Sequence, residues 1–245
     1  MLSKTDTKYI QSLHHKKFRD AEGVFIAEGT KVVMELLQSQ KFVCQKLIGL
    51  PQWLHENEGI IRKYYPGMLQ EVKDFELEKI SALTTSNQVL AVFEKSKEAP
   101  VKITGRISLM LDTIQDPGNL GTIIRTADWF GLSGIICSHD TADIYNPKVV
   151  QSSMGSLARV NIIYSNLKEW LQTNEKVRVY GATLNGKNIN TINGLKEGII
   201  VIGNESKGIN AELMQLVDEK ITIPKAGKAE SLNAAVATGI ILSHL

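Results

Sequence analysis

Three stretches of this chain place small and polar residues where a strand should end and a helix should begin. In the first, Asp116-Pro117-Gly118-Asn119-Leu120-Gly121 has the composition of a turn opening a helix, and Arg125 follows four residues beyond Gly121. Glycine there lets the backbone come close to something, and a helix N-terminus favours negative charge. Arg125 lies among Ile123, Ile124 and Ala127, and a charge so embedded is either snorkelling or functional. In the second, Gly203-Asn204-Glu205-Ser206-Lys207-Gly208 ends the apolar run 198–203 (GIIVIG). An acid straight after a buried strand, between two glycines, points into the crevice above a sheet; as a bare turn it is unremarkable. In the third, Ile223-Pro224 closes a strand, and Ser231-Leu232-Asn233 begins a helix rich in small residues (Ala234, Ala235, Ala237, Gly239). Such residues let another backbone pack very close, and the plainer reading is a core helix with a serine N-cap. Parallel sheets bind ligands at the strand ends where all three stretches would fall.

The elements that must position these residues alternate. Strands are expected at 107–111, 134–137, 160–164, 177–184, 198–203 and 220–223. Helices are expected from Gly118 to Phe130, from Pro147 to about Leu157, and at 167–174, 210–217 and 231–245. Strand–helix alternation implies a parallel sheet covered on both faces. Residues 94–104 (EKSKEAPVKIT) are polar, contain Pro100 and lack apolar periodicity. They divide an N-terminal domain (1–95) from a C-terminal one (105–245), with 96–104 as linker. The N-terminal part reads as a short helix over 1–19 with Ile10, Leu13 and Phe18 on one face, then strands at 24–27, 43–50, 69–72 and 89–93. Helices to about Gln40, over 51–65 and over 74–83 lie between them.

The 245 residues, 43% hydrophobic and 22% charged, describe a globular protein with room for one large domain or two ordinary ones. No apolar run approaches the roughly 18 residues that span a bilayer, and the N-terminus has no apolar signal core, so a cytoplasmic location is expected. Cys44 and Cys137 lie far apart and read as small core residues. His14 and His15 diverge on a helix and make no metal site, and no metal is expected. The net charge is only +2, but residues 1–19 carry Lys4, Lys8, Lys16, Lys17 and Arg19 against Asp6 alone. That excess is either a solvated helix face or an arm that contacts phosphates.

Together the three stretches resemble the SpoU-like (TrmH-type) branch of the SPOUT RNA methyltransferases. The matching motifs are DPGNLGTIIRTADWFG (116–131), IGNESKGI (202–209) and IPKAGKAESLNAAVA (223–237), in the right order and spacing. More loosely, Phe25-Ile26-Ala27-Glu28-Gly29 and its surroundings look like the small α/β, ribosomal-protein-like RNA-binding domain often fused ahead of it. The resemblance implies methyl transfer from S-adenosylmethionine to a ribose 2′-OH in structured RNA. Large-subunit ribosomal RNA is favoured over transfer RNA, because of the fused domain. It implies a C-terminal trefoil knot, an exception to the usual unknotted topology. It also implies a homodimer sharing residues across the site, with no membrane and no DNA as partner.

By position, Arg125 matches the family's catalytic arginine, and Asn119, Glu205, Ser231 and Asn233 match the other polar positions. Guanidinium has a pKa above about 12 and no lone pair to spare, so Arg125 is expected to bind the adjacent phosphate and stabilise the developing alkoxide. Thr183, Leu184, Ile202, Gly203, Ile223, Ser231 and Leu232 are carried over as the cofactor-binding positions, largely through backbone groups. RNA contacts are expected from Lys4, Lys8, Lys16, Lys17, Arg19 and Lys148. The chain departs from many relatives at Gln151, where they carry a basic residue. The competing readings are a catalytically silent RNA-binding protein and a dinucleotide-dependent enzyme. The latter has little support, since no GxGxxG follows a strand.

Overall fold

The basic N-terminal segment folds as two short helices, α1 (Lys4–Ser12) and α2 (Lys16–Glu22), where one was expected. The computed structural model describes residues 2–244 apart from Pro66, Met68, Ser86, Ser133 and Asn193. The break has a cause: the Arg19 guanidinium takes the carbonyls of Leu13 and His14, at 3.0 and 2.9 Å, at the end of α1. Ile10 and Leu13 are buried as expected, but Phe18 faces out, 43% exposed. There follow β1 (Val24–Glu28), α3 (Thr30–Ser39), β2 (Cys44–Gly49), α4 (Pro51–Glu56), α5 (Glu58–Tyr64), β3 (Leu69–Glu71), α6 (Asp74–Ile80) and β4 (Val89–Glu94). The helix expected over 51–65 breaks at Asn57, whose backbone N–H and side-chain amide both donate to the Trp53 carbonyl.

These strands form one sheet in the order β1-β4-β2-β3, with β4 antiparallel to both neighbours and β2 parallel to β3. Alternation along β1 sends Val24 and Ile26 to a core shared with Ile10, Leu13, Leu77 and Ile80. Phe25 goes to the other face, where it stacks on Phe93 at 5.8 Å.

The second sheet is built from β5 (Ile107–Leu111), β6 (Ile135–Cys137), β7 (Ile162–Tyr164), β8 (Val179–Asn188), β9 (Gly198–Ile202) and β10 (Glu219–Thr222). Its order is β10-β8-β9-β5-β6-β7, and every pairing is parallel. Its helices are α7 (Pro117–Trp129), α9 (Leu167–Thr173), α10 (Ala211–Met214) and α11 (Ala234–Leu242); α8 (Pro147–Ser153) lies between β6 and β7 in sequence. All five residues of β5 and of β9 are buried, as strands covered on both faces must be. α11 starts at Ala234 rather than Ser231, and Leu245, its expected end, lies outside the described residues. β8 runs past its expected end and bulges against β10: Gly181 pairs with Lys220 but Lys187 with Ile221, leaving 182–186 out of the ladder.

Contacts divide the chain into two compact units, 1–97 with 143–159, and 98–142 with 160–245. This departs from the expected domains, which left 143–159 with the C-terminal one. The physical reason lies in residues no periodicity shows. Asp143 pairs with buried Arg19 at 2.6 Å. The Tyr145 ring lies 4.8 Å from Phe25. Lys41 donates to the Leu157 carbonyl at 3.0 Å, and Arg159 pairs with Glu35. Gly155, at φ +91°, sits so close to α3 that a Cβ on it would meet the Glu35 Cβ at 2.6 Å. The expected linker is anchored at both ends: Ser96 donates to the Tyr145 hydroxyl within the first unit, and Val101 packs on the core of the second. No described helix is long and apolar enough to cross a membrane.

Candidate active site

β5 leads through α7 to β6 on one side, while its neighbour β9 leads to β10 on the other. The crevice between their carboxyl ends is the topological switch point of the sheet, where open α/β folds bind ligands. α7 begins there. Asp116 caps it, its Oδ1 accepting from the Asn119 N–H at 2.8 Å, and Pro117 fills the first turn. The Asn119 side chain then joins the other two stretches. Its Nδ2 donates to Glu205 Oε1 at 2.7 Å, and its Oδ1 accepts from Asn233 Nδ2 at 2.8 Å. Asn233 is itself the N-cap of α11, its Oδ1 accepting from the backbone N–H of Ala235 and Val236 at 3.0 and 3.2 Å. Both ends of each amide are thereby engaged, which fixes their orientation.

Two residues that the sequence reading passed over hold this arrangement. Asp112, buried at the end of β5, accepts from the Asn210 N–H at 2.6 Å and from the Thr113 hydroxyl at 3.0 Å. Asn204 donates to the Thr113 carbonyl at 2.9 Å, and its Oδ1 accepts from the N–H of Ser206 and Lys207. Asp112 and Asn204 thus fasten the Glu205 loop to the end of β5. An asparagine or aspartate straight after a buried strand is the available signal, since both fold their side chains onto nearby backbone. Thr113 has φ +61°, strained for a β-branched residue, within this same crossing. Gly203 has a structural reason to be glycine: a Cβ there would lie 2.3 Å from the Gly208 carbonyl carbon, where the 204–208 loop closes on itself.

Of the five expected catalytic residues, the fold joins Asn119, Glu205 and Asn233. Ser231 is exposed in the segment before α11 and makes no hydrogen bond among the described residues. Arg125 is exposed, six residues beyond Asn119 and therefore about 9 Å along the helix and roughly a third of a turn from its face. Its side chain has no hydrogen-bond or ion-pair partner among the described residues.

Five of the seven expected cofactor positions lie at the carboxyl ends of three adjacent strands, and Ser231 and Leu232 stand in the segment before α11. Thr183 and Leu184 lie in the β8 bulge, Ile202 and Gly203 end β9, and Ile223 follows β10, with the Thr222 hydroxyl donating to the Leu184 carbonyl at 3.1 Å. Leu184 and Leu232 are exposed. Lys4, Lys8, Lys16, Lys17 and Lys148 are all exposed, as a phosphate contact requires. Arg19 is not: at 1% exposure and bound to Asp143, it is unavailable to RNA, which corrects its expected role.

Residues 106–243 match the model of the SpoU rRNA Methylase family, and residues 4–91 match that of the MRM3-like substrate binding domain. The chain is 36% identical to a 23S rRNA (guanosine(2553)-2′-O)-methyltransferase, RlmP, of Bacillus subtilis, over 96% of this chain and 93% of that one. It is similar to the solved structure of a putative RNA methyltransferase of the TrmH family from Porphyromonas gingivalis, with 35% identity, TM-score 0.86 and 100% and 98% of the two chains covered. An AdoMet-bound rRNA methyltransferase from Sinorhizobium meliloti matches at 32% identity and TM-score 0.87, covering 100% and 95%. A parallel sheet with a polar cluster at its switch point and these likenesses define an RNA-modifying α/β enzyme. The chain belongs to the SpoU rRNA Methylase family.

Proposed function

We propose that the protein transfers the methyl group of S-adenosylmethionine to a ribose 2′-OH of large-subunit ribosomal RNA. The observation that carries this is the chain Asn233–Asn119–Glu205, which ties the three motif stretches together at the switch point. The residues fit the methyl donor by their chemistry. Exposed backbone in the β8 bulge and around Leu232 offers donors and acceptors for an adenine edge, and Leu184, Ile223 and Leu232 offer apolar surface for its face. When bound, S-adenosylmethionine supplies a sulfonium-activated methyl group for in-line transfer. The chain's own task is then placement, which supplies much of the rate of a two-reactant step. Glu205 has one oxygen held by Asn119, which leaves the other to meet the substrate. Arg125, an exposed cation, neutralises the phosphate beside the target ribose and the charge growing on its 2′-oxygen.

Further parts of this reading concern the whole enzyme. A second copy of the chain would complete the site. Support comes from the separation of Arg125 from the Asn119 cluster on its own chain, and from Trp129, 85% exposed one turn further along α7. A trefoil knot accords with the path of the C-terminus: β10 lies at the sheet edge, yet the next segment returns past β8 and β9 to reach Asn119 on α7. The N-terminal unit would be the RNA-binding domain, and the protein would work in the cytoplasm beside its RNA.

Calorimetric titration with S-adenosylmethionine, with NAD as control, should give saturable binding of the methyl donor alone. Mapping of 2′-O-methylation in ribosomal RNA from cells lacking the protein should then reveal one missing mark. Arg125→Ala should abolish transfer; if it leaves both RNA binding and the biological effect intact, the protein is a silent RNA binder instead.

A further inference from the structure

In α2 only Arg19 is buried. No apolar side chain of this helix is fully buried, Phe18 being 43% exposed, and its seven residues are too few to hold a helix alone. It is fixed from beneath by a polar clamp, the Arg19 guanidinium bound to the Leu13 and His14 carbonyls and to the Asp143 carboxylate. Burying a charge is unfavourable unless every group on it is matched, and Arg19 Nε has no hydrogen-bond partner among the described residues. A helix whose one fully buried side chain is charged leaves its outward face free for contact. It displays Lys16, Lys17 and Phe18, all exposed, with the His15 ring edge-on to Phe18 at 6.5 Å. The acidic Asp20 is taken up by Lys95 at 2.6 Å.

Two exposed lysines in the turn that carries a half-exposed aromatic ring offer the two chemistries an unpaired nucleotide needs, a cation for its phosphate and a π-face for its base. We propose that α2 is an RNA-docking element. Phe18 stacks on an unpaired base, Lys16 and Lys17 hold the neighbouring phosphates, and Arg19 is the positioning residue beneath them. The proposal rests on the RNA methyltransferase reading and deepens it: the substrate carries an unpaired base besides its target ribose rather than being a continuous duplex.

The test uses the full chain and large-subunit ribosomal RNA isolated from cells lacking the protein, with binding measured over a salt series and methyl transfer measured in parallel. Phe18→Ala should weaken binding roughly tenfold, the size of one base–aromatic stack, with no change in salt slope. The loss should fall in KM for RNA rather than in kcat, and Phe18→Trp should restore it. Replacing Lys16 and Lys17 together by Ala should instead make the salt slope shallower by roughly 1.5. Arg19→Met should reproduce the Phe18→Ala rise in KM, leave S-adenosylmethionine affinity unchanged and add little when combined with Phe18→Ala. Wild-type affinity in Phe18→Ala, or a loss that Trp does not restore, overturns the stacking role; additive effects of Phe18→Ala and Arg19→Met overturn the positioning role. A wild-type protein that neither binds nor methylates this RNA overturns the enzyme reading itself, whereas normal methylation with an inert Phe18 overturns the docking proposal alone.

Discussion

Asn119 does three jobs with one residue. Its backbone N–H completes the cap of α7, its amide nitrogen holds Glu205, and its amide oxygen holds Asn233. Asn119→Ala removes both side-chain bonds and frees the Glu205 carboxylate. A hydrogen bond to a charged group is worth about 1.5–3 kcal/mol, so single-turnover methyl transfer should fall about 10- to 100-fold while thermal unfolding shifts little. An unchanged rate would remove Asn119 from the mechanism. Residue type and spacing marked the three stretches and the family resemblance marked the polar positions within them, but neither gave their connectivity. That Asn119 lies between Glu205 and Asn233, and that Arg125 stands apart from all three, depends on a chain return that no local pattern encodes. The cysteines are simpler. Burial pushes the Cys44 thiol up to about 12 and raises Cys137 further in the same direction. Iodoacetamide at pH 8 should therefore label neither in the native protein and both after unfolding, as mass spectrometry would record.

Among elements, the hydrophobic period finds nearly every strand and helix to within a few residues, because β5, β9 and the core strands of the first sheet are continuous apolar runs bounded by turns. It misses what distant polar groups decide. The helix expected at the N-terminus breaks because Arg19 claims its last carbonyls, and α11 starts late because Asn233 rather than Ser231 caps it. The most consequential miss is 143–159, whose apolar Val149 and Val150 look like those of any helix in the second sheet, yet it packs with the first unit. Asp143→Ala would leave the Arg19 guanidinium buried without its counter-charge, a change that typically loses about 3–5 kcal/mol. Denaturant unfolding should show a loss of that size, and Asp143→Asn, which keeps a hydrogen-bond acceptor, should lose less.

For the molecule as a whole, an apolar surface remains to be covered. α11 is apolar on all sides, which belongs in an interior, yet Val236 is 51% exposed. α7 packs against α11 near Gly239 and Thr126, and Trp129 follows three residues later. Two copies of the chain joined over these helices would bury both. Trp129→Glu should then give a monomer by sedimentation, with methyl transfer lost and S-adenosylmethionine affinity reduced; a stable, active dimer would place the interface elsewhere.

The segment 143–159 also bears on how the chain can be taken apart. The polypeptide passes between the two units at 97/98, 142/143 and 159/160, where a simple tandem fusion would pass once. A protease cutting in 98–104 would therefore nick the protein without dividing it. The 1–97 fragment would stay bound through Asp143, Tyr145 and Arg159 until denaturant released it. The 98–245 fragment made alone would carry a stranded hydrophobic insert, and it should recover solubility when 1–97 is supplied as a separate chain.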